Sequence, residues 1–207
     1  MKMARPPGNH PLWEREWVTF ENFLRWNGLS FPAKSSILDA GCGNRGLEQG
    51  ALARGFTYTG LDIEDADFDT DDLPLDDATI DVAFSLATLE HLFRPEHFLS
   101  EVRRSLKPGG LMLITVPNIE FSGTAFWDNP GHNKPFTRKS LRKLLEISGF
   151  EVVVVYPGLR MKPRWMYEGR ARFRLAASLP ISKNIVSGPL VAISGRARSI
   201  AIVARNP

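Results

Sequence analysis

An α/β protein is predicted, with a mostly parallel sheet doubly wound by helices on both faces. Three observations predict it. Short Val/Ile/Leu-rich runs alternate with helical patterns from residue 36 onward. The run Leu111–Val116 is apolar without a break, as in a strand covered on both sides. With 207 residues, 43% of them hydrophobic, the chain has material for one domain with a core and too little for two.

The elements follow in order. Trp13, Trp17, Phe20 and Leu24 recur at i, i+4, i+7 and i+11, one face of an amphipathic helix that Gly28 and Pro32 close. Ser36–Ala40 is a short apolar strand carrying an acid near its end, Leu47–Arg54 a short helix ended by Gly55, and Thr57–Asp62 a second strand ending in an acid. Ile80–Ser85 is the next strand. Pro95 opens a helix over Pro95–Leu106, with Phe98, Leu99, Val102 and Leu106 as its core stripe, and Pro108-Gly109-Gly110 stops it. Leu111–Val116 is a strand. Thr137 caps a helix carrying Leu141, Leu144 and Leu145, ended by Gly149. Glu151–Tyr156 and Ser199–Ala204 are Val/Ile-rich strands. In such sheets ligands bind at the carboxyl ends of the strands near a topological switch point. That directs attention to Asp39–Gly46, Asp62–Glu64, Ser85–His91 and Pro117–Asn118.

Composition narrows the function. The lone Cys42 excludes a disulfide framework and a cysteine-built zinc site. The leader MKMARPPGNH has no apolar run, so no secretory signal is read there, and no stretch approaches the roughly 20 apolar residues of a spanning helix. A soluble cytoplasmic protein is expected. The net charge of +3 conceals an asymmetry. Residues 1–158 carry 16 Lys/Arg against 22 Asp/Glu, net −6, whereas residues 159–207 carry 10 Lys/Arg against Glu168 alone, net +9.

The run ILDAGCGNRGLEQ places Gly41, Gly43 and Gly46 in a GxGxxG spacing between a strand and a helix, the dinucleotide fingerprint, with Asp62 ending the following strand. Asp39, two residues before Gly41, separates the ligand readings. A pyrophosphate brought to this helix N-terminus would be repelled by that carboxylate. A cofactor with positive charge and no phosphate is suited by it, and S-adenosylmethionine, with an ammonium and a sulfonium, is such a cofactor. A nicotinamide oxidoreductase is disfavoured on the same ground. The carboxylates from Asp62 to Asp77 lack the spaced ligands, central glycine and terminal Glu of a calcium loop.

LDAGCG resembles the first motif of class I S-adenosylmethionine-dependent methyltransferases of the small-molecule type, and YTGLD resembles the second. DTDDLPLDDATIDVAFSLATLEHL resembles the adenine-site region and the strand after it, SLKPGGLMLITVPN the next strand block, and GHNKPFTRKSLRKLLEISGFEVV the end of the core. The resemblance covers roughly residues 36–156 and the last strand. It implies a Rossmann-like, three-layer fold with an antiparallel last strand, and S-adenosyl-L-methionine as cofactor. Residue by residue it implies that Gly41, Cys42 and Gly43 bring backbone to the cofactor and that Asp39 organises its methionine end. Asp62 takes both ribose hydroxyls, Ile63 packs on the adenine, Asp69 and Thr70 meet the adenine edge, and Ser85 and Leu86 border the methionine moiety. Two features depart from the family. Arg45 stands at the usual third glycine position, where it is expected to cover the outer side of the cofactor. Only six residues separate Asp62 from Asp69, so the adenine side is expected to be open.

Methyl transfer aligns a nucleophile with a sulfonium methyl, and an alcohol or amine acceptor must also lose a proton. His91 and His132 lie just past strands and are the candidate catalytic bases. His10 sits in the leader, and His97 reads as a solvated helix residue. Phe121, Phe126 and Trp127 either wall an acceptor pocket or pin the 118–136 loop. No metal site is expected, since only Glu90 and Asn118 stand where metal-dependent members gather carboxylates.

One methyltransferase domain is therefore expected over 1–207, with an N-terminal helix within 10–27 as a lid and a basic insertion, 159–198, between the last two strands. That insertion reads as part of a pocket for a phosphorylated or acidic acceptor, as a peripheral contact with an anionic membrane, as an RNA contact, or as a solvated cover over a sheet edge. The acidic core argues against a long polyanion, so nucleic acid is not the expected partner. The expected activity is methyl transfer, at oxygen, to a small-molecule or glycan- or lipid-linked acceptor. The alternatives are an RNA methyltransferase and a non-catalytic cofactor-binding protein.

Overall fold

The structure is a computed structural model and describes residues 12–157 and 198–207. Six strands form one sheet: β1 (Ser36–Ala40), β2 (Thr57–Leu61), β3 (Ile80–Leu86), β4 (Leu106–Pro117), β5 (Glu151–Pro157) and β6 (Ser199–Arg205), in the order β2-β1-β3-β4-β6-β5. β1 pairs in parallel with β2 and β3, and β3 with β4, while β6 runs antiparallel to both β4 and β5. This is the doubly wound, mostly parallel arrangement that was expected, with the last strand reversed.

Strand side chains alternate between two cores. On one face Ile37, Val82, Phe84, Leu113 and Val203 pack with Trp17, Phe20 and Leu24 of α1 (Leu12–Trp26) and Ala51 of α2 (Glu48–Ala53). On the other, Leu38, Ala83, Met112, Ile114 and Ile202 pack with Phe98, Leu99 and Val102 of α3 (Pro95–Ser105) and with Leu141 and Leu145 of α5 (Arg138–Ile147). The sheet is thus sandwiched, and its strands carry few polar residues because both faces are covered.

Trp17 anchors α1 to the sheet. It is fully buried, meets Phe84 edge-on with ring centroids 5.5 Å apart, and donates Nε1–H to the Leu47 carbonyl at 3.0 Å. The face of α1 that carries Trp17, Phe20, Phe23 and Leu24 is therefore core. The expected 10–27 segment is a helix over Leu12–Trp26, and the side chain of Trp13 and residues 10–11 lie outside the described residues. All of the 159–198 insertion except Arg198 also lies outside them. Among the described residues, no helix is long and apolar enough to cross a membrane.

Two regions differ most from expectation. β4 begins at Leu106 rather than Leu111, because Leu106 already pairs with Ile80 across a register shift. Asn206 holds this stretch by donating Nδ2–H to the carbonyls of Arg103, Leu106 and Lys107. The 118–136 loop contains α4 (Ile119–Ser122) and a 3-10 segment over Gly123–Asp128, closed by a bridge between Asn118 and Phe136. Asn118 starts α4 by accepting from the Glu120 amide.

Candidate active site

β1 lies between β2 and β3: the chain runs outward from β1 to β2 and then returns past β1 to β3, which makes the carboxyl end of β1 the switch point of the sheet. The chain leaves β1 through Gly41, at φ +83°, and the Gly41 and Cys42 amides donate to the Leu61 carbonyl at the end of β2, at 2.8 and 3.1 Å. Gly41 is required on two grounds. Its backbone lies in the left-handed region, and a Cβ there would stand 2.1 Å from Thr88 Oγ1. Thr88 in turn donates to the Ala40 carbonyl at 3.2 Å, tying the β3 turn to the β1 loop. Gly43, at φ +54°, is different: a Cβ there would meet nothing within 4 Å. Its backbone is open, and its amide donates to Asp62 Oδ2 at 2.7 Å.

Asp62 is thus held at the end of β2. Its Oδ1 accepts from the Ile63 amide, and Asp65 accepts from the Asp62 amide. Ile63 is 59% exposed beside it, an apolar surface at the rim. Asp39 is buried on β1 and accepts from the Tyr58 hydroxyl at 2.7 Å. Burial pushes its carboxyl up to about 6, against the lowering effect of the Tyr58 bond. Tyr58 holds its own proton more tightly because of burial and the neighbouring Asp39. The period of two along β2, paired in register with β1, sets this tyrosine on the face of Asp39.

Arg45, itself at φ +55°, pairs with Glu48 at 3.0 Å, donates to the Gly60 carbonyl and lies over the Tyr58 ring at 5.1 Å. Its side chain is engaged with β2 and α2. Asp69 is likewise engaged within the protein. Its two oxygens accept from the Phe93 and Arg94 amides at 3.1 and 2.6 Å, which pins the 62–79 segment to the turn after β3. The Thr70 amide donates to Asp67 and its hydroxyl to Asp71. Ser85 is fully buried with no hydrogen-bond partner for Oγ, and Leu86 next to it is half-buried.

The residues around this loop fit a cationic ligand without phosphate. Ionised Asp39 and Asp62 only accept. Burial, and after it these two carboxylates, push the Cys42 thiol up to about 11. The one cation of the loop, Arg45, is paired with Glu48.

The second cluster lies past β3 and β4. Leu89–His91 is a 3-10 turn, and the Glu90 carbonyl accepts from the Asn133 and Lys134 amides at 2.7 and 3.0 Å, while Asn133 Nδ2–H donates to the His91 carbonyl. These bonds bring His91 and His132 together, with ring centroids 4.9 Å apart. His91 Nδ1 lies 2.7 Å from the Gly131 carbonyl, and His132 Nδ1 lies 2.7 Å from the Phe126 carbonyl. A carbonyl oxygen only accepts, so each Nδ1 carries a proton and each neutral ring keeps its lone pair on Nε2. The Phe126 ring is buried and lies over His132 at 4.5 Å, so this phenylalanine pins the loop, whereas Trp127 is exposed. Glu90, 1% exposed, completes the cluster. Burial pushes its carboxyl up to about 7, and Oε2 has no partner. Sequence reasoning did not place Glu90 with the two histidines. Their common position after neighbouring strands was the one signal of it. Tyr58 as the partner of Asp39 was also missed. His97, read as solvated, bonds to the Asp71 carbonyl.

Comparison with known proteins bears on this geometry. A family model described as Methyltransferase domain matches residues 15–155. A Mycolicibacterium smegmatis protein described as a probable S-adenosylmethionine-dependent methyltransferase is 43% identical over 83 residues, 39% of this chain and 32% of its own length. A fatty-acid O-methyltransferase from the same species is 37% identical over 174 residues, covering 72% of this chain and 60% of its own. The chain thus spans about a third to three fifths of the length of these curated relatives. The crystal structure of a SAM-dependent methyltransferase from Archaeoglobus fulgidus superposes with a TM-score of 0.64 at 21% identity, covering 94% of this chain and 96% of that one. That likeness is one of fold.

Proposed function

This chain belongs to the methyltransferase-domain family of the class I S-adenosylmethionine-dependent superfamily, and from that premise we propose that it transfers a methyl group to an oxygen of a small-molecule or glycan- or lipid-linked acceptor. The observation that carries this reading is the presence of two carboxylates at the switch point of the sheet, Asp39 near the end of β1 and Asp62 after β2, the latter bound to the amide of the open Gly43 backbone. The family implies S-adenosyl-L-methionine as the cofactor, and when bound it supplies an electrophilic methyl on a positively charged sulfur.

The chain's residues divide the work. Asp39, as carboxylate, suits the ammonium of the methionine end. Asp62 binds the Gly43 and Ile63 amides and, as a carboxylate, is an acceptor suited to ribose hydroxyls. Ile63 offers an apolar face for adenine, and Ser85 Oγ supplies a buried hydroxyl still without a partner. His132 and His91 stand on the acceptor side with Nε2 lone pairs set by the Nδ1 bonds, and take up the proton that an acceptor hydroxyl loses as its oxygen attacks the methyl carbon. Alignment of oxygen, methyl and sulfur is the larger contribution, worth up to about 7–11 kcal/mol in well-oriented systems.

Oxygen as the accepting atom is supported by the fatty-acid O-methyltransferase among the relatives. An acidic or phosphorylated acceptor matches the charge of residues 159–198. The test is tritiated-methyl transfer with purified protein, screened across fractionated small molecules, glycans, lipids and RNA. Label in one of the first three fractions supports the proposal. Label confined to RNA replaces the acceptor class, and cofactor binding with no transfer to any fraction favours a non-catalytic protein.

A further inference from the structure

We propose that Glu90, His91 and His132 bind a divalent transition-metal ion at the acceptor side of the cleft. Among the described residues, this is the one set of three or more His, Cys, Asp and Glu groups whose ligand atoms all lie within 4.8 Å of one another. A tetrahedral site with bonds of about 2.0 Å has ligand atoms about 3.3 Å apart, and the three groups here stand within 4.8 Å of one another.

Two features point to a cation here, and a third holds the set in place. First, each imidazole is oriented from behind: Nδ1–H donates to a backbone carbonyl, Gly131 for His91 and Phe126 for His132, at 2.7 Å in both cases. Metal-ligating histidines are held in this way, since the outer bond fixes the tautomer and leaves Nε2 as the donor atom. Second, Glu90 Oε2 is buried and has no hydrogen-bond partner. A buried carboxylate oxygen without a partner is unfavourable, and a cation removes that deficit. Third, the backbone around the set is stitched independently of any ligand. Glu90 O accepts from Asn133 and Lys134, and Asn133 donates to His91 O, which holds together residues 42–44 positions apart. A Cβ on Gly131 would stand 3.2 Å from His91 Nδ1, so the carbonyl that orients His91 belongs to a position kept small.

Two imidazoles and one carboxylate favour zinc, cobalt or iron over magnesium or calcium, which prefer all-oxygen sites. Three protein ligands also leave a coordination position open, as catalytic sites do. A hydroxyl taking that position is acidified by the cation, which would give the two histidines a different part in removing the acceptor's proton. The inference rests on the proposed reading in placing the acceptor here.

The test is a titration of the full-length, tag-free, chelator-treated chain with Co2+, followed by visible d–d absorption, with Zn2+ added as competitor. The expected result is saturation at one equivalent and displacement by Zn2+. His132→Ala and Glu90→Gln should each weaken Co2+ binding beyond the 10–100-fold typical of outer-shell losses, with melting temperature as the check on folding. A wild-type chain without saturable absorption overturns the site whatever the variants do, and so do folded variants with unchanged affinity. S-adenosylmethionine binding, measured by calorimetry on the same samples, separates the two proposals. Cofactor binding without Co2+ binding removes the cation site alone, whereas Co2+ binding without cofactor binding upholds that site and removes the proposed activity.

Discussion

Replacing Gly41 by alanine should destabilise the protein by about 2–5 kcal/mol. Two contributions make up this figure. An L-residue in the left-handed region, where Gly41 sits at φ +83°, costs about 1–2 kcal/mol. The added Cβ would lie 2.1 Å from Thr88 Oγ1 and 2.8 Å from Cγ2, and relieving such overpacking costs about 1–3 kcal/mol. Thr88 cannot simply swing away, because its hydroxyl bonds to the Ala40 carbonyl, a contact worth about 1 kcal/mol. Urea unfolding of wild type, Gly41→Ala, Thr88→Ala and the double variant measures the terms. Thr88→Ala removes the two clashing atoms while keeping its Cβ, which would remain 3.0 Å away. The double variant should therefore be about 1–2 kcal/mol more stable than the sum of the singles predicts. A Gly41→Ala protein within about 0.5 kcal/mol of wild type, the usual range of surface substitutions, would show that neither contribution is present, and strict additivity would show that Thr88 is not the clashing partner.

Gly43→Ala gives the contrasting result: nothing lies within 4 Å of its Cβ, so stability falls by only about 1–2 kcal/mol from the positive φ, while S-adenosylmethionine affinity measured by calorimetry drops at least tenfold. Asp39→Asn should make the protein more stable at neutral pH. With the Asp39 pKa raised by burial from 3.8 to about 6, its contribution is present below 3.8 and is lost as pH rises through about 6, a difference of about 3 kcal/mol. Unfolding curves between pH 4 and pH 7.5 should therefore be flatter by that amount in the variant. Cofactor affinity of the wild type should fall as pH drops below about 6, where Asp39 takes up a proton, and Asp39→Asn should lack this dependence.

Much of the fold was legible because both cores rest on local periodicity. The unbroken Leu111–Val116 run and the stripe of Phe98, Leu99 and Val102 declare strand and helix without reference to the rest of the chain. The start of β4 was not, since Leu106 joins the sheet through a register shift opposite Ile80 that no local pattern encodes. At the site, the glycine loop and Asp62 were readable because they lie on adjacent strand ends in a fixed order. Asp69 shows the limit: its position in the motif is plain in the sequence, whereas its bonds to the Phe93 and Arg94 amides depend on how two loops meet. The meeting of His91 with His132 is of the same kind, set by backbone bonds from Asn133 and Lys134 to Glu90.

Calorimetric titration of the wild type and of Asp62→Ala decides whether the carboxyl end of this sheet binds S-adenosylmethionine through Asp62. Saturable one-to-one binding by the wild type is expected, and its loss in the variant, whose Gly43 amide also loses its 2.7 Å acceptor. Full-strength binding by Asp62→Ala, or a wild type that binds NAD and not S-adenosylmethionine, would contradict it.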